Sequence, residues 1–311
     1  MSLGEGSPPI PLRENVILRP FSTFRIGDRA AFFSQVTSPD ELIAAASWAK
    51  KCGHPCQIVA GGSNVVFPDA KLKAFLIRIA GGKTIFKGTS CVADAGVPLG
   101  LVIDRAIGRG LRGLETLSGI PGTIGGAIVG NAGAYGHSIS EVVEKVEIWD
   151  GKRRRFLPRI QCGFEYRESV FKHRPWLLLR IFLKFRHGDA HSVRLTSRRI
   201  IRLRRKKYRP GLRCPGSFFK NVLVKKVSKS SLARIDRRKI IDGKIPAGYI
   251  LEQVGAKGMR VGGIAIAPFN GNLFINEGKA TARDVRKLAR ILKRRVKKKF
   301  GICLEEEIRY L

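Results

Sequence analysis

The segment from Gly110 to Gly136, GLRGLETLSGIPGTIGGAIVGNAGAYG, constrains this chain more than any other. Its glycines are interleaved with Ile120, Ile124, Ile128 and Val129. A flexible linker, which favours Gly and Ser without such apolar side chains, is therefore excluded. The pattern describes a packed loop in which small residues let the backbone lie against a flat or phosphorylated ligand. Pro121 stiffens its turn and Asn131 offers a polar contact. A shorter glycine block precedes it: Cys56 to Ala60 reads as a short buried strand that runs into Gly61-Gly62-Ser63-Asn64. A strand entering a glycine turn is a place where backbone N–H groups can converge on phosphate, although these four residues alone also suit a hairpin turn.

Length and charge narrow the classes. A chain of 311 residues predicts two or three compact units. No apolar run approaches the roughly 20 residues that cross a bilayer. The first fifteen residues carry Glu5 and Glu14 instead of a signal-peptide core, so the expected setting is the cytoplasm, with no membrane insertion. Six cysteines, at positions 52, 56, 91, 162, 214 and 303, are too sparse for a disulfide framework. Cys52, His54 and Cys56, and the pair His187 and His191, have metal-like spacing but no second ligand pair, and read as small core thiols and surface imidazoles; no metal is expected. The net charge of +35 invites a nucleic-acid reading. Its peaks at Arg153 to Arg155, Arg198 to Lys207 and the last helix match no helix-turn-helix, zinc-finger or aromatic RNA-binding pattern. A solvated basic surface is expected instead, with no nucleic-acid partner.

Local signals outline the elements. Residues 1–14 read as frayed. Ser38, Pro39 and Glu41 start a helix with Leu42, Ile43, Ala46 and Ala49 on one face, ending near Gly53. Strands are predicted around Phe75 to Ile79, Ser90 to Ala95, Val146 to Trp149 and Trp176 to Phe185, with a helix from Leu99 to Ile107. Arg-rich helix from Ser197 to Lys207 leads to a boundary at Pro210-Gly211 and a smaller α+β unit. In the last helix Thr281 and Asp284 form a capping box, Val285, Leu288, Leu292 and Val296 an apolar stripe, and Gly301 a stop.

The ordered motifs go further than any one of them. Phe21-Ser-Thr-Phe-Arg-Ile-Gly27, Gly61 to Asn64, Ser118 to Gly126 with Asn131 to Gly136, Tyr166-Arg-Glu-Ser-Val-Phe171, Gly216-Ser-Phe-Phe-Lys-Asn221, Pro246 to Glu252 and Leu304-Glu-Glu-Glu-Ile-Arg309 together resemble the UDP-N-acetylenolpyruvoylglucosamine reductase family. The resemblance runs from about residue 16 to the end, and the lack of a long insertion after Trp176 is similar to the shorter of the family's two variants. It implies an α+β flavoenzyme with a vanillyl-alcohol-oxidase-like (PCMH-type) two-part FAD-binding region and a smaller C-terminal α+β substrate domain. The corresponding boundaries are a flexible N-terminus at 1–15, FAD-binding subdomains at 16–88 and 89–207, and a substrate-binding domain at 208–311. It further implies that NADPH reduces FAD and that the hydride passes to the enolpyruvyl ether of a UDP-sugar, in peptidoglycan precursor synthesis; a monomer is expected.

Residue by residue, the resemblance implies FAD contacts at Ala60, Gly61, Gly62, Ser63, Asn64, Val65, Ser118, Pro121, Gly122, Thr123, Gly125, Gly126, Asn131 and Gly133. It implies substrate contacts at Tyr166, Lys220 and Asn221, and catalytic roles for Arg167, Ser217 and Glu307. The chemistry suits them. Hydride addition at C3 of an enolpyruvyl group leaves an enolate at C2, which needs a cation and then a proton. Arg167 is suited to the carboxylate and enolate, Ser217 to the proton, and Glu307 to polarising the intermediate or holding water; strand alternation would place Glu305 and Glu307 on one face. Three positions depart from the family pattern: Asp28 after Gly27, Val222 after Asn221, and Asn270. A related FAD oxidase and a basic nucleic-acid-binding protein on a degenerate flavin fold are the alternatives. In such oxidases a histidine of the first glycine loop often tethers the flavin; Asn64 in its place implies dissociable FAD.

Overall fold

The computed structural model describes residues 9–311, which divide into two compact units. One comprises the chain up to Val16, Ala30–Gly61 and Leu72–Lys206; the other comprises Ile17–Arg29, Gly62–Lys71 and Lys207–Leu311. Among the described residues no helix is long and apolar enough to cross a membrane.

The first unit contains two sheets. In the four-stranded one the order is Arg13–Ile17, Arg29–Val36, Leu72–Ile79, Cys56–Val59, and Leu72–Ile79 runs parallel to both of its neighbours. Parallel pairing requires a long crossover, here supplied by the helix Pro39–Lys51, whose Ser38 hydroxyl accepts from the Glu41 N–H at 3.2 Å. The five-stranded sheet is antiparallel, ordered Arg154–Pro158, Val143–Trp149, Leu177–Lys184, Ser90–Asp94, Thr84–Lys87. Phe75, Ile77, Ala93, Val146, Ile181 and the helix residues Leu99, Val102 and Ile103 share one core.

The second unit packs the helix Ala282–Phe300 against a three-stranded antiparallel sheet, Arg260–Val261, Ile264–Ile266 and Phe274–Asn276. The expected capping box and the Gly301 stop, at φ 71°, are both present. Val285, Leu288, Leu292 and Val296 are fully buried, while Arg283, Arg286, Lys287, Arg290 and Arg294 are exposed. Val65–Val66 pairs in parallel with Arg309–Tyr310, and Phe24, Ile26 and Val66 enter this core. Residues 17–29 and 62–71, read from the sequence as part of the first FAD-binding subdomain, thus pack with the C-terminal region, because their apolar side chains are buried there.

Other local expectations change. Residues 1–8 of the expected flexible terminus lie outside the described residues, but Ile10 is buried, the Ser34 hydroxyl donates to the Pro11 carbonyl at 2.6 Å, and Arg13 begins a strand. Cys56–Val59 is not a buried strand: it takes a sheet edge, leaving Cys56 exposed and Ile58 37% exposed. His54 is no surface imidazole; it is buried with its ring 4.8 Å from that of Phe32. The Arg-rich helix begins at Ala190, seven residues before Ser197. Burial pushes the Cys91 and Cys162 thiols up to about 11, so both stay protonated core side chains at neutral pH.

Leu292→Ala should lower stability by about 2–5 kcal/mol, the range for a buried leucine, whereas Arg290→Ala on the solvated face should stay within about 0.5 kcal/mol. Denaturant midpoints of the two variants check this.

Candidate active site

Arg167 stands at the second corner of a tight turn. Glu165 and Glu168 exchange backbone hydrogen bonds, each at 3.1 Å, and Arg167 between them adopts a left-handed φ of 57°. A non-glycine residue in that region carries strain of order 1–3 kcal/mol and persists where its surroundings over-determine it. Here Nη2 of Arg167 donates to the Gly133 carbonyl at 2.6 Å, Nζ of Lys172 donates to the Arg167 carbonyl at 2.5 Å, and Asn131 Nδ2 holds the Glu165 carbonyl at 2.8 Å. A Cβ on Gly133 would lie 3.1 Å from Arg167 Nη1 and 2.6 Å from the His137 carbonyl, so glycine there makes room for the guanidinium. Tyr166 supports it from the side, its ring centre 5.4 Å from the guanidinium carbon.

The glycine loops of the first unit are built tightly. A Cβ on Gly61 would come within 2.8 Å of the Gly122 Cα, and one on Gly125 within 2.8 Å of the Ala95 carbonyl oxygen. The helix Ile124–Val129 has its leading donors engaged: Ile124 N–H to the Val97 carbonyl at 2.8 Å, Gly125 N–H to Ala95 at 2.9 Å, and Gly126 N–H to the Thr123 hydroxyl at 3.2 Å. Ser118 is buried with its hydroxyl 2.8 Å from that of Ser197, and the Asn131 amide also accepts from the Ser140 N–H at 3.4 Å. Hence several polar groups expected to meet cofactor hold the loop together. Gly126 differs from Gly61 and Gly125, since a Cβ there would make only ordinary contacts, at 3.6 and 3.9 Å. Such an open glycine face is compatible with a flat ligand lying close to the backbone.

In the second unit Gly62, at φ 63°, passes so close to the Phe21 carbonyl that a Cβ would lie 1.9 Å from its oxygen. Thr23 donates through its N–H to the Gly62 carbonyl at 3.2 Å, and Asn64 Nδ2 to the Glu307 carbonyl at 2.8 Å. The Glu307 N–H in turn donates to the Phe218 carbonyl at 2.8 Å, and that of Lys220 to the Glu305 carbonyl at 2.9 Å. Ser217 and Glu307 therefore belong to neighbouring, hydrogen-bonded segments. Arg167, Asn131 and Gly133 belong to the other unit.

The three consecutive glutamates are sorted by their partners. Glu305 pairs with the buried Lys220, and Glu306 with Lys293 at 2.5 Å. Burial, reinforced by the Glu306 carboxylate, holds the Tyr310 phenol well above its ordinary range. Asn221 Oδ1 accepts the Ala247 N–H at 3.1 Å, starting the helix Ala247–Glu252.

Three residues passed over in the sequence shape this region. Asn272, buried, grips the Phe219 backbone with both ends of its amide, accepting at 2.8 Å and donating at 2.9 Å. Asn276 Nδ2 donates to the Phe24 carbonyl at 2.9 Å, tying the first motif to the C-terminal core. Tyr208 Oη lies 3.0 Å from Ser217 Oγ. The sequence offered a signal only for Asn272: Asn-Gly-Asn at 270–272 is turn chemistry, and Asn270 Oδ1 accepts from the Asn272 N–H at 3.0 Å. Of the other departures, Val222 pairs with Ile245 across a two-stranded ladder, and the Asp28 N–H reaches the Pro68 carbonyl at 3.0 Å. Among the described residues no group of three or more His, Cys, Asp or Glu could hold a metal ion.

Comparison with known proteins places this arrangement. A model of an FAD binding domain matches residues 30–154, which makes the chain an FAD-binding protein by class. A second model, for the C-terminal domain of UDP-N-acetylenolpyruvoylglucosamine reductase, matches residues 208–311. A UDP-N-acetylenolpyruvoylglucosamine reductase of Solibacter usitatus is 39% identical over 98% of both chains, and one of Rubrobacter xylanophilus is 33% identical over 94% of this chain and 92% of its own. The crystal structure of that reductase from Thermus caldophilus superimposes with a TM-score of 0.75 at 29% identity, covering 96% of this chain and 99% of its own. The chain belongs to the UDP-N-acetylenolpyruvoylglucosamine reductase family. Its fold is accordingly a two-part FAD-binding region of the vanillyl-alcohol-oxidase-like type with a C-terminal α+β domain.

The two kinds of glycine predict a contrast. Gly62→Ala forces both a left-handed φ and a collision with backbone, and should reduce soluble folded yield severely; Gly126→Ala should fold with a midpoint near the parent's. Thermal melts of the two purified variants compare them directly.

Proposed function

We propose that this chain reduces the enolpyruvyl group of UDP-N-acetylglucosamine enolpyruvate to UDP-N-acetylmuramate with NADPH, using dissociable FAD, as a step in peptidoglycan precursor synthesis. The observation that carries the reading is the hydrogen-bonded pairing of the Ser217 and Glu307 segments in a chain of this family. The chemistry FAD supplies when bound is transfer of a hydride taken from NADPH. Cofactor contacts are assigned to Ala60 to Val65, Ser118, Pro121, Gly122, Thr123, Gly125, Gly126, Asn131 and Gly133. Within that set, the internal bonds of Ser118, Thr123 and Asn131 fit a role in shaping the loop, and Gly126 fits close approach of the flavin.

The remaining steps belong to this chain's own side chains. Arg167, held by Gly133, is assigned to the substrate carboxylate and the negative charge that develops at C2. Ser217 is assigned the transfer of its hydroxyl proton to C2. Glu307 is assigned the polarisation of that intermediate, its backbone pinned at both N–H and C=O so that the carboxylate has a fixed origin. Tyr166, Lys220 and Asn221 are assigned to substrate; the Lys220–Glu305 pair means that Lys220 reaches an anionic ligand only by exchanging partners. The proposed setting is the cytoplasm, whose reducing conditions suit free cysteines, and the proposed state is a monomer that binds no nucleic acid.

Ser217→Ala should keep its FAD and be reduced by NADPH at near the parent rate. Reoxidation by the enolpyruvyl substrate should fall roughly 10²- to 10⁴-fold, the scale of a missing general acid. Stopped-flow absorbance resolves the two halves, and equal slowing of both, or intact reoxidation, would remove Ser217 from the proton step. A separate outcome concerns tethering: acid precipitation should leave the flavin in the supernatant, and flavin in the pellet would contradict dissociable FAD.

A further inference from the structure

We propose that Tyr208 is a positioning residue for the proton step: its phenol donates to Ser217 Oγ, aims the serine hydrogen at the substrate and replaces the proton that the serine gives up. This inference rests on the reading of Ser217 as the acid.

The argument starts from the rigidity of the serine. Ser217 bridges to Leu273, and the two residues after it, Phe218 and Phe219, are buried. Phe218 stacks on Phe274 with ring centres 3.7 Å apart, and Asn272 fixes the Phe219 backbone. The serine backbone therefore cannot shift to suit its partner, and Tyr208 Oη at 3.0 Å meets a hydroxyl whose origin is set.

The proposed role requires one direction of this bond, in which either hydroxyl could donate. Each hydroxyl carries one hydrogen. If Ser217 donated to Tyr208, its hydrogen would point away from the substrate and could not reach C2. When Tyr208 donates instead, the serine hydrogen is free for transfer and one of the serine oxygen's two acceptor sites is filled. The same bond removes a difficulty in using an alcohol as an acid. Acting alone, a serine that gave its proton to C2 would be left as a strongly basic alkoxide. A phenol, with an ordinary pKa of about 10, is a far stronger acid than an alcohol. The Tyr208 Oη–H bond therefore breaks, and a new Ser217 Oγ–H bond forms, in the same step in which the old Ser217 Oγ–H bond breaks and the C2–H bond forms; solvent water then gives the phenolate a proton, leaving hydroxide. Tyr208 is half-buried, which leaves it a route to that water, and the Lys207 ammonium lies 5.3 Å from its ring centre, placing positive charge beside the transient phenolate. No electrons move in this relay.

The test uses the FAD-loaded enzyme reduced by NADPH, then mixed anaerobically with the enolpyruvyl UDP-sugar, comparing the parent, Ser217→Ala and Tyr208→Phe. Phenylalanine keeps the ring and removes only the donor. Reduction by NADPH and the denaturation midpoint should stay within about twofold and within error of the parent. Reoxidation should fall roughly 10- to 100-fold, less than the loss for the acid itself. In H₂O–D₂O mixtures the parent's reoxidation rate should bow downward against deuterium fraction, as for two protons in flight, and Tyr208→Phe should give a straight line. Tyr208→Phe with parent-like reoxidation or an unchanged curve, while Ser217→Ala is slow, overturns the role of Tyr208 alone. Equal slowing of both halves in Tyr208→Phe makes it a structural contact and overturns the proposal as well. If Ser217→Ala reoxidises at the parent rate, the reading of Ser217 itself has failed, and the Tyr208 proposal falls with it.

Discussion

The hydrogen bond from the Glu307 N–H to the Phe218 carbonyl, at 2.8 Å, is the contact on which the C-terminal unit's chemistry depends. It joins two segments that are far apart in the sequence and short in themselves, and neither has a regular element to hold it. Around it, Asn272 grips Phe219 and Asn64 grips the carbonyl of Glu307. Buried backbone groups left without partners cost about 1–3 kcal/mol each. Loss of either asparagine would therefore both destabilise the unit and release the residues that flank Ser217 and Glu307. Rigidity at Ser217 thus comes from side-chain amides acting on backbone, with the stacked Phe218 and Phe274 beneath them.

In the first unit the equivalent constraint is close approach of backbone to backbone. Gly61 against Gly122, and Gly125 against Ala95, leave no room for a side chain. These contacts within the chain fix the shape of the loops, which is what preorganised recognition requires. Two of the residues assigned a role, Arg167 and Asn131, adopt positive φ, at 57° and 40°, as do Asn15, Arg25, Tyr135 and Asp242, and Arg167 and Asn131 are each tied down by hydrogen bonds to their surroundings.

How much of this was legible in the sequence follows from the range of each interaction. The last helix could be read almost residue by residue, because Thr281, Asp284, Gly301 and the stripe of Val285, Leu288, Leu292 and Val296 act within a few turns of one another. The start of the Arg-rich helix was also written locally, since Asp189 accepts the Ser192 N–H at 2.7 Å, but the polar composition of residues 190–196 masked it. The motif order carried the family. By contrast, nothing local told that Asn272 holds Phe219, 53 residues away, that Asn276 holds Phe24, or that Tyr208 meets Ser217. Ser118 and Asn131 are visible in the sequence as polar residues in a glycine loop, but their partners, Ser197 and Glu165, could be found only in three dimensions. The same holds for residues 62–71: their glycine turn is visible in the sequence, whereas their union with the C-terminal core depends on Val66 and the distant strand Arg309–Tyr310.

The central claim is that one proton from this chain and one hydride from NADPH are added to different carbons of the enolpyruvyl group. Turnover of the purified protein in D₂O with NADPH and UDP-N-acetylglucosamine enolpyruvate, followed by NMR of the product, separates them. The account predicts UDP-N-acetylmuramate with solvent deuterium at C2 of the lactyl group, and, when NADPH deuterated at the transferred position is used in H₂O, label from NADPH at C3 and none at C2. Label from NADPH at C2, a C2 without solvent deuterium after turnover in D₂O, or no lactyl product at all, would contradict it.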